Sequence, residues 1–122
     1  MSVEEYKIIH IVGILMVFSG LVGVMALRML TAEIPNQPRR FFVITHGIGL
    51  LIVLIAGFGM AAKQGYLQAP NSGWIIGKIV IWLILGGSLA LAKRKGQMGG
   101  ILLSFFLILG GVAAWLAIMK PF

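Results

Sequence analysis

The chain has 122 residues, 60% hydrophobic and 11% charged, with seventeen glycines and no cysteine. A soluble domain is about 45–50% apolar and about 25% charged, so this composition, with a mean hydropathy of +1.05, excludes a soluble enzyme, a disordered tail and a disulfide-stapled secreted domain. A net charge of +7 would suggest nucleic acid in a soluble protein; here it reports lysines and arginines held at membrane faces, and no nucleic-acid partner is expected.

Four runs meet the roughly 20 apolar residues needed to cross a hydrocarbon core of about 30 Å. They predict spanning helices at about 8–28, 41–62, 74–92 and 98–119. Glu4 and Glu5 precede the first run where a cleavable signal would be positive, and its apolar stretch is too long for a signal h-region. Pro35 and Pro38 punctuate the first loop, Ala62 to Gly73 is the longest connection, and Gly96 predicts a tight turn in the third. The expected fold is an all-α integral membrane protein, an antiparallel four-helix bundle forming a single transmembrane domain over residues 1–122.

Loops one and three carry Arg28, Arg39, Arg40, Lys93, Arg94 and Lys95, against Lys7, Lys63 and Lys120 on the other side, where Glu4 and Glu5 also lie. The positive-inside rule then places those loops in the cytoplasm and both termini outside the cell inner (cytoplasmic) membrane. Tyr6, Tyr66, Trp74 and Trp115 fall near the outer ends, as an aromatic belt would.

Helices in lipid associate by close packing, which small residues permit. Gly13 and Gly20 lie near one side of helix one, and Gly49 and Gly57 share a side of helix two with Phe42, His46 and Val53. Gly73 with Gly77, and Gly110 with Gly111, predict close contacts on helices three and four. Gly57 to Ala62 fits the letters G-x-G-x-x-A, but it closes an apolar helix instead of following a strand, so it is no nucleotide site.

Three strongly polar side chains fall clearly within the spans: His10, His46 and Lys78. Such residues are costly in lipid and mark functional sites. His10 and Lys78 each lie about one turn below the outer face, whereas His46 is near the cytoplasmic end, on the order of 20 Å away along the normal. Two axial ligands of one iron sit only about 4 Å apart, so a bis-histidine haem between His10 and His46 is excluded and His10 pairs with Lys78. Trp74, Lys78 and Trp82 recur at i, i+4 and i+8, and His10, Gly13, Val17, Leu21, Val24 and Arg28 form one stripe of helix one. A flat macrocycle suits such a small-residue gap with indole walls. A lysine ligates iron only as the neutral amine, a form that desolvation favours. The blander readings stand beside this: Lys78 snorkelling to headgroups, His10 bonded to a carbonyl or water, His46 making an interhelical hydrogen bond, Trp74 as a belt anchor and Trp82 as a packing residue.

Lys-Ile-Ile-His10, Leu27-Arg28, Arg39-Arg40-Phe41-Phe42, Gly57-Phe58-Gly59, Gly73-Trp74-Ile-Ile-Gly-Lys78-Ile79 and Leu85 to Leu91 resemble the small four-helix family that includes HemJ, the bacterial membrane protoporphyrinogen oxidase, with SirB-like and CopD-like proteins. In the HemJ branch the helix-one histidine and helix-three lysine are associated with haem binding, which the resemblance carries onto His10 and Lys78. The short loops, the extra His46 and the Leu-Gly-Gly-Ser-Leu-Ala-Leu stretch look closer to the SirB-like branch. The expectation is a haem-associated membrane protein in porphyrin oxidation or electron transfer, with His10 and Lys78 as metal ligands, Trp82 against the cofactor, haem b as that cofactor, and His46 and Arg28 as further polar candidates. The alternative is a non-catalytic subunit or assembly factor packing on partner helices, in a homo-oligomer or larger membrane complex. A transporter is disfavoured, since the spans hold no acidic residue and no helix breaks of the kind that bind coupling ions.

Overall fold

Ser2 and Glu5 decide where the first helix begins. The Ser2 hydroxyl accepts from the Glu5 amide, and the Glu5 carboxylate accepts from the Ser2 amide, both at 3.1 Å. This reciprocal cap satisfies two of the donors that a helix start leaves unpaired. Helix α1 therefore spans Val3–Leu30, starting five residues before the apolar run. Helix α2, Asn36–Lys63, is capped by Pro35 and carries Pro38 in its first turn, where a missing N–H costs nothing. The two prolines thus open a helix instead of punctuating a loop. Helix α3 is Gly73–Lys95, a short 3₁₀ turn covers Gly96–Met98, and α4 is Gly100–Met119. The computed structural model describes residues 1–68 and 72–122; the part of the Ala62 to Gly73 connection at 69–71 lies outside the described residues.

All four helices are long and apolar enough to cross a bilayer, and no strand occurs among the described residues, so the chain is an all-α, multi-pass membrane bundle. Close approaches fix its directions. A Cβ on Gly20 would strike the Phe42 carbonyl and His46, while one on Gly13 would strike Ile52 and Val53, so α1 and α2 run antiparallel. Gly96 gives way to the β- and γ-carbons of Arg28, bringing the C-terminal ends of α1 and α3 together. Gly77 admits Leu116, which sets α4 antiparallel to α3. The tight turn before α4 depends on Gly99, whose φ is +51°, and not on Gly96, whose φ is −57°. Only glycine reaches the former without strain.

Helix α1 is the most buried of the four. Its stripe of His10, Gly13, Val17, Leu21, Val24 and Met25 meets α2 on one side and α3 on the other, with Phe106 of α4 also fully enclosed. Gly110 faces Phe18, whereas a Cβ on Gly111 would meet none of the described residues. Helix α4 buries only Leu102, Phe106 and Leu116 and turns Ile101, Leu107, Ile108 and Ile118 outward, a surface suited to hydrocarbon.

Candidate functional site

Gly57 leaves the room that His10 occupies: a Cβ there would lie 3.2 Å from His10 Cε1. The imidazole crosses from α1 to α2, where Nδ1 donates to the Val53 carbonyl at 3.0 Å. A carbonyl can only accept, so the proton is on Nδ1 and, in the neutral ring, Nε2 carries the lone pair. The hydrogen bond also fixes the ring plane. His10 is buried, yet it lines a cavity of about 610 Å³ near the N-terminal ends of α1 and α3.

Helix α3 supplies the facing wall. Trp74, Lys78 and Trp82 stack at one-turn intervals and all line the same cavity. Trp82 is held by Nε1 donating to the Leu50 carbonyl at 2.9 Å, a tie to α2. Trp74 is buried and packs edge-on against Tyr66 at 5.2 Å, so it is part of the core rather than the lipid-facing belt anchor expected. Trp115, half exposed on α4, fits the belt. Lys78 is half-buried and, among the described residues, makes no hydrogen bond or ion pair. A smaller cavity of about 270 Å³ continues inward, sharing His10, Lys78 and Trp82 and reaching Phe18, Leu85 and Gly110.

Two cations missed by reading along the chain also line the main cavity: Lys7 and Lys120. Lys7 lies one turn before His10, a spacing that could have flagged it. Lys120 could not be found that way, because the C-terminal fold brings it there. Its backbone is left-handed at φ 44°, and its Nζ donates to the Ala117 carbonyl at 2.7 Å. The ammonium sits over the Tyr66 and Trp74 rings, 5.4 and 5.2 Å from their centroids. Beyond it the Phe122 carbonyl accepts from the Gly73 amide at 2.7 Å, pinning the tail across the start of α3.

His46 and Arg28 are not part of this cavity. His46 is buried at the α1–α2 seam, with Nδ1 donating to the Val17 carbonyl at 3.0 Å, and its Nε2 has no hydrogen-bond partner among the described residues. Its β-carbon lies against Gly20, ten residues along α1 from His10, or about 15 Å at 1.5 Å per residue. That is less than the 20 Å expected, because α2 begins at Asn36 and carries His46 closer to mid-membrane. It still exceeds the separation of two ligands on one iron. Arg28 lies at the opposite end of α1 from His10 and donates to the Ala32 carbonyl.

No family model, curated protein or solved structure matches this chain.

Proposed function

We propose that this is a haem-associated integral membrane protein of the kind implied by the likeness to the HemJ, SirB-like and CopD-like group. It would hold one haem b between His10 and Lys78 and serve porphyrin oxidation or electron transfer in the inner membrane. One observation carries the reading: His10 and Lys78, from different helices, line one cavity, and among the described residues the imidazole is hydrogen-bonded at Nδ1 alone.

The donor set fits the group. Among the described residues no three His, Cys, Asp or Glu side chains come together, so a bare ion would lack a protein cage, whereas a macrocycle would bring four nitrogens of its own and His10 and Lys78 would hold it. A ligating histidine ordinarily gives its other N–H to a carbonyl or carboxylate, which orients the ring and raises its basicity; Val53 supplies that carbonyl. Lys78, as the neutral amine, is a second donor with no competing partner. The cavity volume falls within the roughly 300–1,000 Å³ of small-molecule sites. Haem, when bound, supplies the redox chemistry. The chain's own residues orient it, wall it with Trp82 and exclude water. The count of basic residues supports placing both termini outside, which puts the cavity toward the outer leaflet.

Haem titration of the purified protein tests this. One haem per chain is expected for the wild type and for His46→Ala, with binding lost or severely weakened in His10→Ala and Lys78→Ala. A wild type that takes up no haem, or variants that bind as it does, would refute the reading.

A further inference from the structure

The main cavity has a charge pattern that iron ligation does not use. Its lining includes Lys7 and Lys120 besides Lys78, and among the described residues no carboxylate lines it. Lys7 is exposed, one turn above His10, and Lys120 caps the end of α4. Of the acids near Lys7 in sequence, Glu5 caps α1 and Glu4 is exposed. Lys120 is not a free surface lysine. Its left-handed backbone, its bond to the Ala117 carbonyl and its seat over Tyr66 and Trp74 hold the ammonium at the opening, with two donor hydrogens to spare. Inward from these cations the walls are mostly apolar and aromatic, with His10, Gln64 and Lys78 among them. Cations at the mouth of a mostly apolar interior are complementary to an amphiphile with an anionic end.

We propose that Lys7 and Lys120 form a carboxylate subsite at the cavity mouth, which receives the acidic end of a flat, apolar molecule whose body runs inward between Trp74, Trp82 and His10. The flat, porphyrin-sized body of the occupant rests on the function proposed above; what the cavity mouth adds is that its acid end faces outward. The subsite depends on the cavity alone and not on metal ligation, so the two can fail separately.

The test uses metal-free protoporphyrin, a dicarboxylic acid, and its dimethyl ester, titrated by fluorescence into the full chain in phosphatidylcholine nanodiscs. The diacid is expected to bind the wild type more tightly than the diester. K7Q/K120Q should lose on the order of tenfold in diacid affinity, the weight of two partly exposed charge pairs, with diester affinity unchanged. K7R/K120R should restore the preference, which separates lost charge from lost folding. Equal binding of diacid and diester by the wild type, or of the diacid by wild type and K7Q/K120Q, would overturn the proposal. So would displacement of the diacid from the wild type, but not from K7Q/K120Q, when phosphatidylglycerol replaces part of the lipid, since the mouth would then be taken by a headgroup phosphate. The two readings fail separately: equal binding of diacid and diester overturns the subsite whatever the haem titration gives, and a wild type that takes up no haem overturns the ligation whatever the diacid preference is.

Discussion

At the residue scale, the two histidines have the same kind of anchor and different surroundings. Each gives Nδ1 to a carbonyl of the facing helix, His10 to Val53 and His46 to Val17. The difference lies at Nε2. His10 stands in the wall of a cavity, while His46 Nε2 is buried with no hydrogen-bond partner among the described residues. An unpartnered buried nitrogen is a cost retained in the fold, offset here by the hydrogen bond at Nδ1 and the packing against Gly20. His46→Ala removes a fully enclosed side chain, so a loss of about 1–3 kcal/mol is expected in an unfolding titration, within the usual range for buried truncations. Trp82→Phe keeps an aromatic ring but loses the indole N–H and its bond to Leu50. Interhelical bonds in membranes average about 0.6 kcal/mol, so a small stability change is expected, read by the same titration.

At the scale of elements, the α1–α2 seam holds the site in register. Gly49 meets the Val17 amide nitrogen at 2.7 Å and the Gly13 carbonyl at 2.8 Å from its would-be Cβ, so added bulk must move backbone. Gly49→Ala should destabilise the bundle by about 1–3 kcal/mol, as overpacking does. Gly47→Ala, on the same helix with open space around it, should cost nothing sterically. Equal effects of the two on thermal or denaturant unfolding would show that the seam is not close-packed. The helix spans and this seam were legible in the sequence, because apolar length and the placement of Gly13, Gly20 and Gly49 report directly on lipid crossing and close approach. The helix starts were less so. The Ser2–Glu5 cap and Pro38 extend helices into polar sequence, where hydropathy gives no signal. The turn before α4 was assigned to Gly96 because glycine spacing alone does not distinguish a positive φ from a close contact.

At the scale of the whole molecule, the short connections force up-and-down topology, and this puts the N-terminal ends of α1 and α3 at one level. That is why depth along each helix was enough to bring His10 and Lys78 to one place, and why Trp82, one turn further in, joined them. The contact of Lys120 with Trp74 is not legible in the same way. Spacing gives Trp74 as an indole wall beside Lys78 or as a belt anchor and Lys120 as an orientation charge, whereas their contact depends on the tail folding back over α3. The topology predicts that a fluorescent protein fused after Phe122, which matures only in the cytoplasm, stays dark, while the same reporter placed in the connection between α1 and α2 is bright. The reverse result would invert the bundle and place the cavity toward the cytoplasm. The outward face of α4 is mostly apolar along its length, a surface suited to hydrocarbon.

The central claim is that His10 and Lys78 serve one bound molecule. The reduced-minus-oxidised absorption spectrum of the haem-loaded protein, recorded beside His10→Ala and Lys78→Ala, tests it most directly. The account predicts a six-coordinate, low-spin spectrum in the wild type and its loss in each variant. A wild-type spectrum that survives Lys78→Ala unchanged, or a protein that stays colourless with haem supplied, would contradict it.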